Sequence, residues 1–157
     1  VGKIGWKTEK LIERIKQHPQ LNKRLFMFND LSDRELEYCY SHSRALVFPS
    51  YVEGFGLPLV EAMQRGLPAM ASDIPVFREI GGDSMAYFGL SEPESLCRLV
   101  RRFEGSGQFP APISLDNWSW LSWSDSAMQL IGRVQGQTKR QQAARASIKS
   151  NADYGRP

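Results

Sequence analysis

Glu53 and Glu61 are separated by a short run that contains Gly54, Phe55, Gly56, Leu57 and Pro58. Two carboxylates at that interval can accept hydrogen bonds from several hydroxyls of one ligand. An apolar run, Ala45-Leu46-Val47-Phe48, precedes them and ends in Pro49-Ser50. The order is therefore strand, glycine-rich loop and helix N-terminus. In such a loop a polyanion sits on backbone N–H groups at the positive end of a helix dipole, and the flanking carboxylates can hold the hydroxyls of whatever carries the phosphate.

Each residue has a physical part in that arrangement. Gly54 and Gly56 permit positive φ and carry no Cβ, so the main chain can approach a ligand closely. Pro58 suits the first helical position, where no N–H is needed. Leu57, Leu59, Val60, Ala62 and Met63 can anchor the helix, and Gly66 ahead of Pro68 stops it. Glu61 is expected in the first turn, where it could accept two hydrogen bonds from a ribose diol. Glu53 is expected at the carboxyl end of the strand, where open α/β sheets bind ligands. The competing reading is plain: a glutamate in a first turn complements the dipole by about 0.3–1 kcal/mol, and paired glycines also make ordinary tight turns.

The full string is more specific than either carboxylate. Pro49-Ser50-Tyr51-Val52-Glu53-Gly54-Phe55-Gly56-Leu57-Pro58-Leu59-Val60-Glu61-Ala62-Met63 continues through Gly66, Pro68 and Ser72. It resembles the donor-binding motif of the retaining GT-B glycosyltransferases of the family 4, or group 1, type, with Ala69 where that family usually has Val. The resemblance covers about residues 1 to 135. It implies a Rossmann-like α/β domain with a parallel sheet and helices on both faces, the C-terminal half of a GT-B fold cut short at its N-terminal edge.

The resemblance also implies roles. Glu53 would be the catalytic carboxylate beside the donor sugar. Gly54, Phe55, Gly56, Leu57, Leu59 and Val60 would bind donor sugar and phosphate through the loop backbone, and Glu61 would bind the ribose. Gly2 and Lys3 match the family's G-K-x-G-W turn and would lie near phosphate or base, although a lysine in a turn is more often solvated and that reading is favoured for Lys3. Asn29 and Leu31 belong to the loop that meets the nucleobase, with Asn29 where the family often has Gly. A first strand, with an Arg and a Lys that clamp the diphosphate, and an N-terminal acceptor domain would precede Val1.

The elements that must position these residues are legible from periodicity. Thr8 is placed to cap a helix carrying Leu11, Ile12 and Ile15. Leu25–Phe28 reads as a short strand, with Val1-Gly2 as the end of another. Ser32 and Glu35 form a capping box ahead of Leu36, Cys39 and Tyr40. Strand 45–48, helix 58–65, strand 68–71, helix 75–80 and strand 85–88 follow, with Asp73 read as the cap of the helix at Pro75. Ser91 and Glu94 open a helix through Phe103, 105–112 is a linker, and Trp123, Ala127, Leu130, Ile131 and Val134 mark a last helix. Alternation of strands and helices predicts a parallel, doubly wound sheet. In Trp118, Trp120 and Trp123, packing is favoured over sugar binding.

Composition bounds the rest. The chain has 157 residues and a net charge of +3, suited to one domain, with no basic-aromatic stripe to suggest nucleic acid. Residues 136–157 are polar and basic and read as a disordered tail, which could touch anionic lipid. Cys39 and Cys97 read as reduced core thiols. His18 and His42 read as surface or cap residues, so neither a metal site nor a cofactor is expected. No apolar run suits a membrane span and no signal peptide is recognised, giving an expected cytoplasmic location, with peripheral contact at the membrane's inner face.

The expected function is transfer of a hexose from a nucleotide-diphosphate sugar, GDP-mannose first, to a glycan or lipid-linked acceptor, with this fragment inactive alone. The alternative is a non-catalytic nucleotide-sugar-binding or scaffold module.

Overall fold

A computed structural model describes residues 1, 2 and 4–136. The role expected for Lys3 falls outside the described residues, and so does the tail expected over 136–157, save that Gly136 is helical. By internal contacts the chain divides into two units, Val1–Trp118 and Ser119–Pro157.

The first unit opens with helix α1 (Glu9–Lys16) and helix α2 (Asp33–His42). Ser32 caps α2 as a capping box: its hydroxyl accepts from the Glu35 N–H and the Glu35 carboxylate accepts from the Ser32 N–H. Three apolar runs then form the strands β1 (Leu46–Phe48), β2 (Ala69–Ser72) and β3 (Ala86–Phe88). They pair in parallel in the order β1-β2-β3, with Val47 opposite Met70 and Ala71 opposite Tyr87. Parallel neighbours need a crossover. Helix α3 (Leu57–Gln64) supplies the first and helix α4 (Pro75–Gly81) the second. Helix α5 (Pro93–Ser106) follows β3 and ends on Gly107, whose φ of +71° suits the left-handed cap.

Side-chain alternation along β2 divides the core between two layers. Ala69 and Ala71 pack with Leu59, Val60 and Met63 of α3 and with Phe77 and Ile80 of α4. Met70 turns the other way, joining Ala86 and Phe88 against Leu96, Leu99, Val100 and Phe103 of α5. Every residue of β2 is buried, which is why this strand has no polar face. Phe77 is fully buried and contributes about 1.5–3 kcal/mol of transfer free energy. The first expectation, an α/β sheet with helices on both faces, holds.

Several local expectations do not. Leu25–Phe28 is not a strand: a single bridge joins Leu21 to Leu25, and the Gly2 N–H donates to the Phe28 carbonyl. A strand needs a continuous ladder, and Phe26 and Phe28 remain exposed. Val1-Gly2 is likewise outside any strand. Thr8 stands at the N-cap of α1, but its hydroxyl donates back to Gly5 and caps nothing. Ile74, not Asp73, is the N-cap of α4; Asp73 instead pairs with Arg78 through two hydrogen bonds of 2.7 and 2.8 Å. Helix α5 begins at Pro93 behind Glu92, so Ser91 does not cap it. It also runs through Ser106, into the stretch read as linker. Cys97 is exposed and is no core thiol, whereas Cys39 is half-buried.

Trp118 closes the first unit by packing on the core of α3, α4 and β2, and its Nε1 donates to the Ile80 carbonyl at 2.8 Å. That is the packing role expected for it. In the second unit a helix is described over 123–136. Ser122 caps it, accepting from the Asp125 N–H while the Asp125 carboxylate accepts from the Ser122 N–H and hydroxyl. Trp123 is exposed. Among the described residues no helix is long and apolar enough to cross a membrane.

Candidate functional site

The loop between β1 and α3 turns on Gly56. It has φ +93°, it is the N-cap of α3, and a Cβ there would lie 2.8 Å from the Phe77 ring. Only a residue without a side chain meets both demands. Pro58 is the second residue of the helix rather than the first, a position where its missing N–H still costs nothing. Gly54 has nothing near its own Cβ position, so it leaves the main chain open to an approaching molecule.

The first turn of α3 narrows the anion-binding expectation. The N–H groups of Leu59 and Val60 both donate to the Gly56 carbonyl, at 2.9 and 3.4 Å, and both side chains are buried. Among the described residues the Leu57 N–H meets no acceptor. It is a donor directed out of the positive end of the helix dipole. Between Pro49 and Gln64 the chain has no lysine or arginine, so charge compensation for a bound phosphate within this segment falls to the helix N-terminus. Phe55 and Leu57 expose their side chains beside it.

Glu53 is held from behind. The Ser50 hydroxyl donates to Glu53 Oε1 at 2.8 Å. The Ser50 carbonyl in turn accepts from the hydroxyl of Ser72 at 2.6 Å, and Ser72 is completely buried at the end of β2. The strand end therefore fixes the loop, and the loop fixes one carboxylate oxygen.

Glu61 sits one turn deeper than expected. It is the fifth residue of α3, whose first turn holds no acid; the helix begins at Leu57, so Glu61 belongs to the second turn. Its Oε2 accepts from the Tyr40 hydroxyl at 3.1 Å. Its carbonyl accepts from Arg65 Nη1 at 2.9 Å, and Arg65 Nε pairs with Glu37. Burial, and then the hydrogen bond to Glu61, pushes the Tyr40 hydroxyl up to about 12. Tyr40 is thus a neutral donor to a carboxylate throughout the neutral range.

Glu61 and Gly2 line the same cavity, of about 380 Å³, with Tyr40, Phe48, Pro58 and Leu67 also in its wall. Glu53 is not among its lining residues. Asn29 and Gly2 line a neighbouring cleft of about 260 Å³ against α1. Leu31 is half-buried just ahead of α2. Val1 and Gly2 are thus shared by the two concavities. Among the described residues no group of three His, Cys, Asp or Glu side chains is placed to hold a metal ion.

Ser50, Ser72 and Tyr40 were not singled out by sequence reasoning as parts of the site. Ser50 and Ser72 lie within the motif string, and that was their available signal. Tyr40 offered only helical spacing on α2.

Comparison with known proteins gives a consistent set of relatives. The profile of the family described as Glycosyl transferases group 1 matches residues 1–107. The chain is 43% identical over 131 residues to the serotype-specific mannosyltransferase WbdA of Escherichia coli, covering 83% of this chain and 16% of that protein. It is 32% identical over 121 residues to the O-antigen chain mannosyltransferase RfbU of Salmonella typhimurium, covering 76% of this chain and 33% of the relative. It is also 31% identical over 96 residues to the O-antigen biosynthesis glycosyltransferase WclY of Escherichia coli, covering 61% and 26%. The chain therefore spans no more than about a third of the length of these relatives.

Proposed function

The chain belongs to the glycosyl transferases group 1 family, and from that premise we propose that it is the donor-binding part of a retaining hexosyltransferase that moves mannose from GDP-mannose to a glycan or lipid-linked acceptor. The observation that carries the reading is the open N-terminus of α3: left-handed Gly56 as its cap, the Leu57 N–H without an acceptor among the described residues, and Glu53 and Glu61 on either side. The relatives' names, two of them mannosyltransferases, support mannose as the sugar.

In this reading the diphosphate lies against the helix N-terminus, whose dipole stabilises the charge that grows as the anomeric C–O bond breaks. The diphosphate leaves with the bonding pair. The acceptor oxygen forms the new bond on the same face, and its proton passes to the departing side. Glu53, with one oxygen occupied by Ser50, accepts hydrogen bonds from sugar hydroxyls and stabilises oxocarbenium-like charge. The backbone of Gly54, Phe55 and Gly56 borders the sugar. Glu61 binds the ribose diol, and Gly2, Asn29 and Leu31 border the base. The chemistry needs no metal when backbone dipoles and cations supply the stabilisation. In the intact enzyme an Arg and a Lys of the donor-binding domain itself clamp the diphosphate and an N-terminal domain supplies the acceptor site, and residues 1–157 alone bind donor without transferring it. The intact enzyme works in the cytoplasm, touching the membrane peripherally where a lipid-linked acceptor requires it.

Calorimetric titration with GDP, UDP and dTDP, on this chain and on its Glu61→Ala variant, tests the proposal. GDP should bind, and the substitution should weaken it by about 1–3 kcal/mol, the loss expected for a charged hydrogen-bond partner. Binding of none of the three, by this chain and by a two-domain protein alike, would sink the donor-site reading in favour of a scaffold module. Sugar transfer by residues 1–157 alone would overturn the assignment of the acceptor chemistry to another domain.

A further inference from the structure

Tyr40 and Glu61 stand 21 positions apart in sequence and meet through one hydrogen bond. Tyr40 is 8% exposed, its ring packed with Ala62, Leu67, Leu36 and Leu46. A ring held on several sides gives its hydroxyl a fixed direction. That hydroxyl donates to Oε2 of Glu61. The nearby guanidinium of Arg65 does not compete, because its Nη1 goes to the Glu61 carbonyl and its Nε to Glu37, with the plane 5.1 Å over the Tyr40 ring. So the cation anchors the backbone of the turn and a neutral phenol orients the carboxylate.

That division of labour suits a carboxylate that must receive a ligand. A carboxylate has about four lone-pair sites, and a single phenol occupies one of them. A neutral partner leaves the negative charge in place, where a salt bridge would compensate it. Both residues also line the cavity of about 380 Å³ beside β1, so the carboxylate's remaining capacity has space in front of it.

We infer that Tyr40 is a positioning residue for sugar recognition within the nucleotide: by holding Oε2 of Glu61 it presents the rest of that carboxylate to the 2′,3′-diol, and so sets the preference for ribonucleoside over 2′-deoxyribonucleoside diphosphates. The inference rests on the ribose role proposed for Glu61 and adds the residue that enforces it.

The test is titration of this chain and its Tyr40→Phe variant with GDP and UDP, each beside its 2′-deoxy form. The substitution keeps the packed ring and removes one oxygen. The unsubstituted chain should prefer the ribo form by about tenfold, the size of one good hydrogen bond to a charged group. In Tyr40→Phe the preference should fall to about threefold or less, with affinity for the deoxy form unchanged. An unchanged ratio in the variant would overturn the inference while leaving Glu61 as the ribose ligand. Equal weakening of both forms would make Tyr40 merely structural. No ribo preference in the unsubstituted chain would remove the ribose role of Glu61, and this inference with it. A second readout needs no ligand: tyrosinate absorbance of the Tyr87→Phe variant should show a phenol titrating near 12 that moves lower when Glu61→Gln is added. No movement would mean the phenol does not hold the carboxylate.

Discussion

The hydroxyl of Ser72 donates to the carbonyl of Ser50 at 2.6 Å and also reaches the Phe48 carbonyl at 3.3 Å. A residue at the end of one strand thereby fastens the loop that leaves its neighbour. Because Ser72 is fully buried, Ser72→Ala leaves two carbonyls without that donor and should cost about 1–3 kcal/mol. Ser50→Ala removes only a half-buried hydroxyl and should cost less than about 1.5 kcal/mol, yet it frees Glu53. Urea unfolding of the two variants should rank them in that order; the reverse order would mean that Ser72 does not anchor the loop.

Gly54 and Gly56 should respond oppositely to alanine. At Gly56 the new Cβ meets the Phe77 ring at 2.8 Å from a backbone at φ +93°, and Phe77 is itself fully buried. The strained backbone and the overpacking each cost roughly 1–3 kcal/mol. At Gly54 nothing lies within 4 Å, so Gly54→Ala should leave stability within about 0.5 kcal/mol and act, if at all, on ligand approach. Thermal unfolding compared with nucleotide titration separates the two effects.

Alkaline stability should depend on two phenols, the buried Tyr40 and the half-buried Tyr87. Burial is the first cause that raises both Tyr40 and Tyr87 to about 12. The Tyr87 hydroxyl donates to the carbonyls of Phe77 and Gly82. A phenol whose folded value lies above its unfolded value of 10.0 keeps its proton longer in the folded state. Its contribution is complete below the unfolded value and is lost as pH rises toward 12. Chemical denaturation across that window should show falling stability, with a shallower slope in Tyr40→Phe and in Tyr87→Phe. An unchanged slope in both would refute the assignment.

The Asp73–Arg78 pair should matter little despite its good geometry. Its side chains are about half exposed, and water screens such pairs to about 0.2–1 kcal/mol. The Arg78 guanidinium lowers the Asp73 carboxyl, so this small contribution is present above the unfolded value and disappears as pH falls through the folded one. A double-mutant cycle with Asp73→Asn and Arg78→Gln should return a coupling within that range. A coupling well above it would show that the pair is shielded from water.

Trp118 should tolerate loss of its indole N–H poorly. In Trp118→Phe the Ile80 carbonyl loses a donor at 2.8 Å, and the smaller ring leaves space against the core. The expected cost is about 1–3 kcal/mol, read by urea unfolding. A cost near zero would mean that water replaces the donor.

Much of this protein was determined by local sequence. Apolar runs and their periodicity were enough for β1, β2, β3 and the helices between them, because a crossover between parallel strands leaves the same signature wherever it occurs. Ser32 and Glu35 named their own capping box, since both partners lie within one turn. The string from Pro49 to Ser72 identified the family. Tertiary structure decided whatever depends on a partner far along the chain. Leu25–Phe28 has strand composition but no continuous ladder beside it. Asp73 had a helix start within reach, yet found Arg78 on the helix instead. The left-handed Gly56 starts α3 at Leu57 and so carries Glu61 into the second turn. Tyr40 reaches Glu61, and Ser72 reaches Ser50, across separations of 21 and 22 residues. Periodicity reports which face of an element is apolar. Only the packing of α2 on α3, and of β2 beside β1, determines which polar atoms meet.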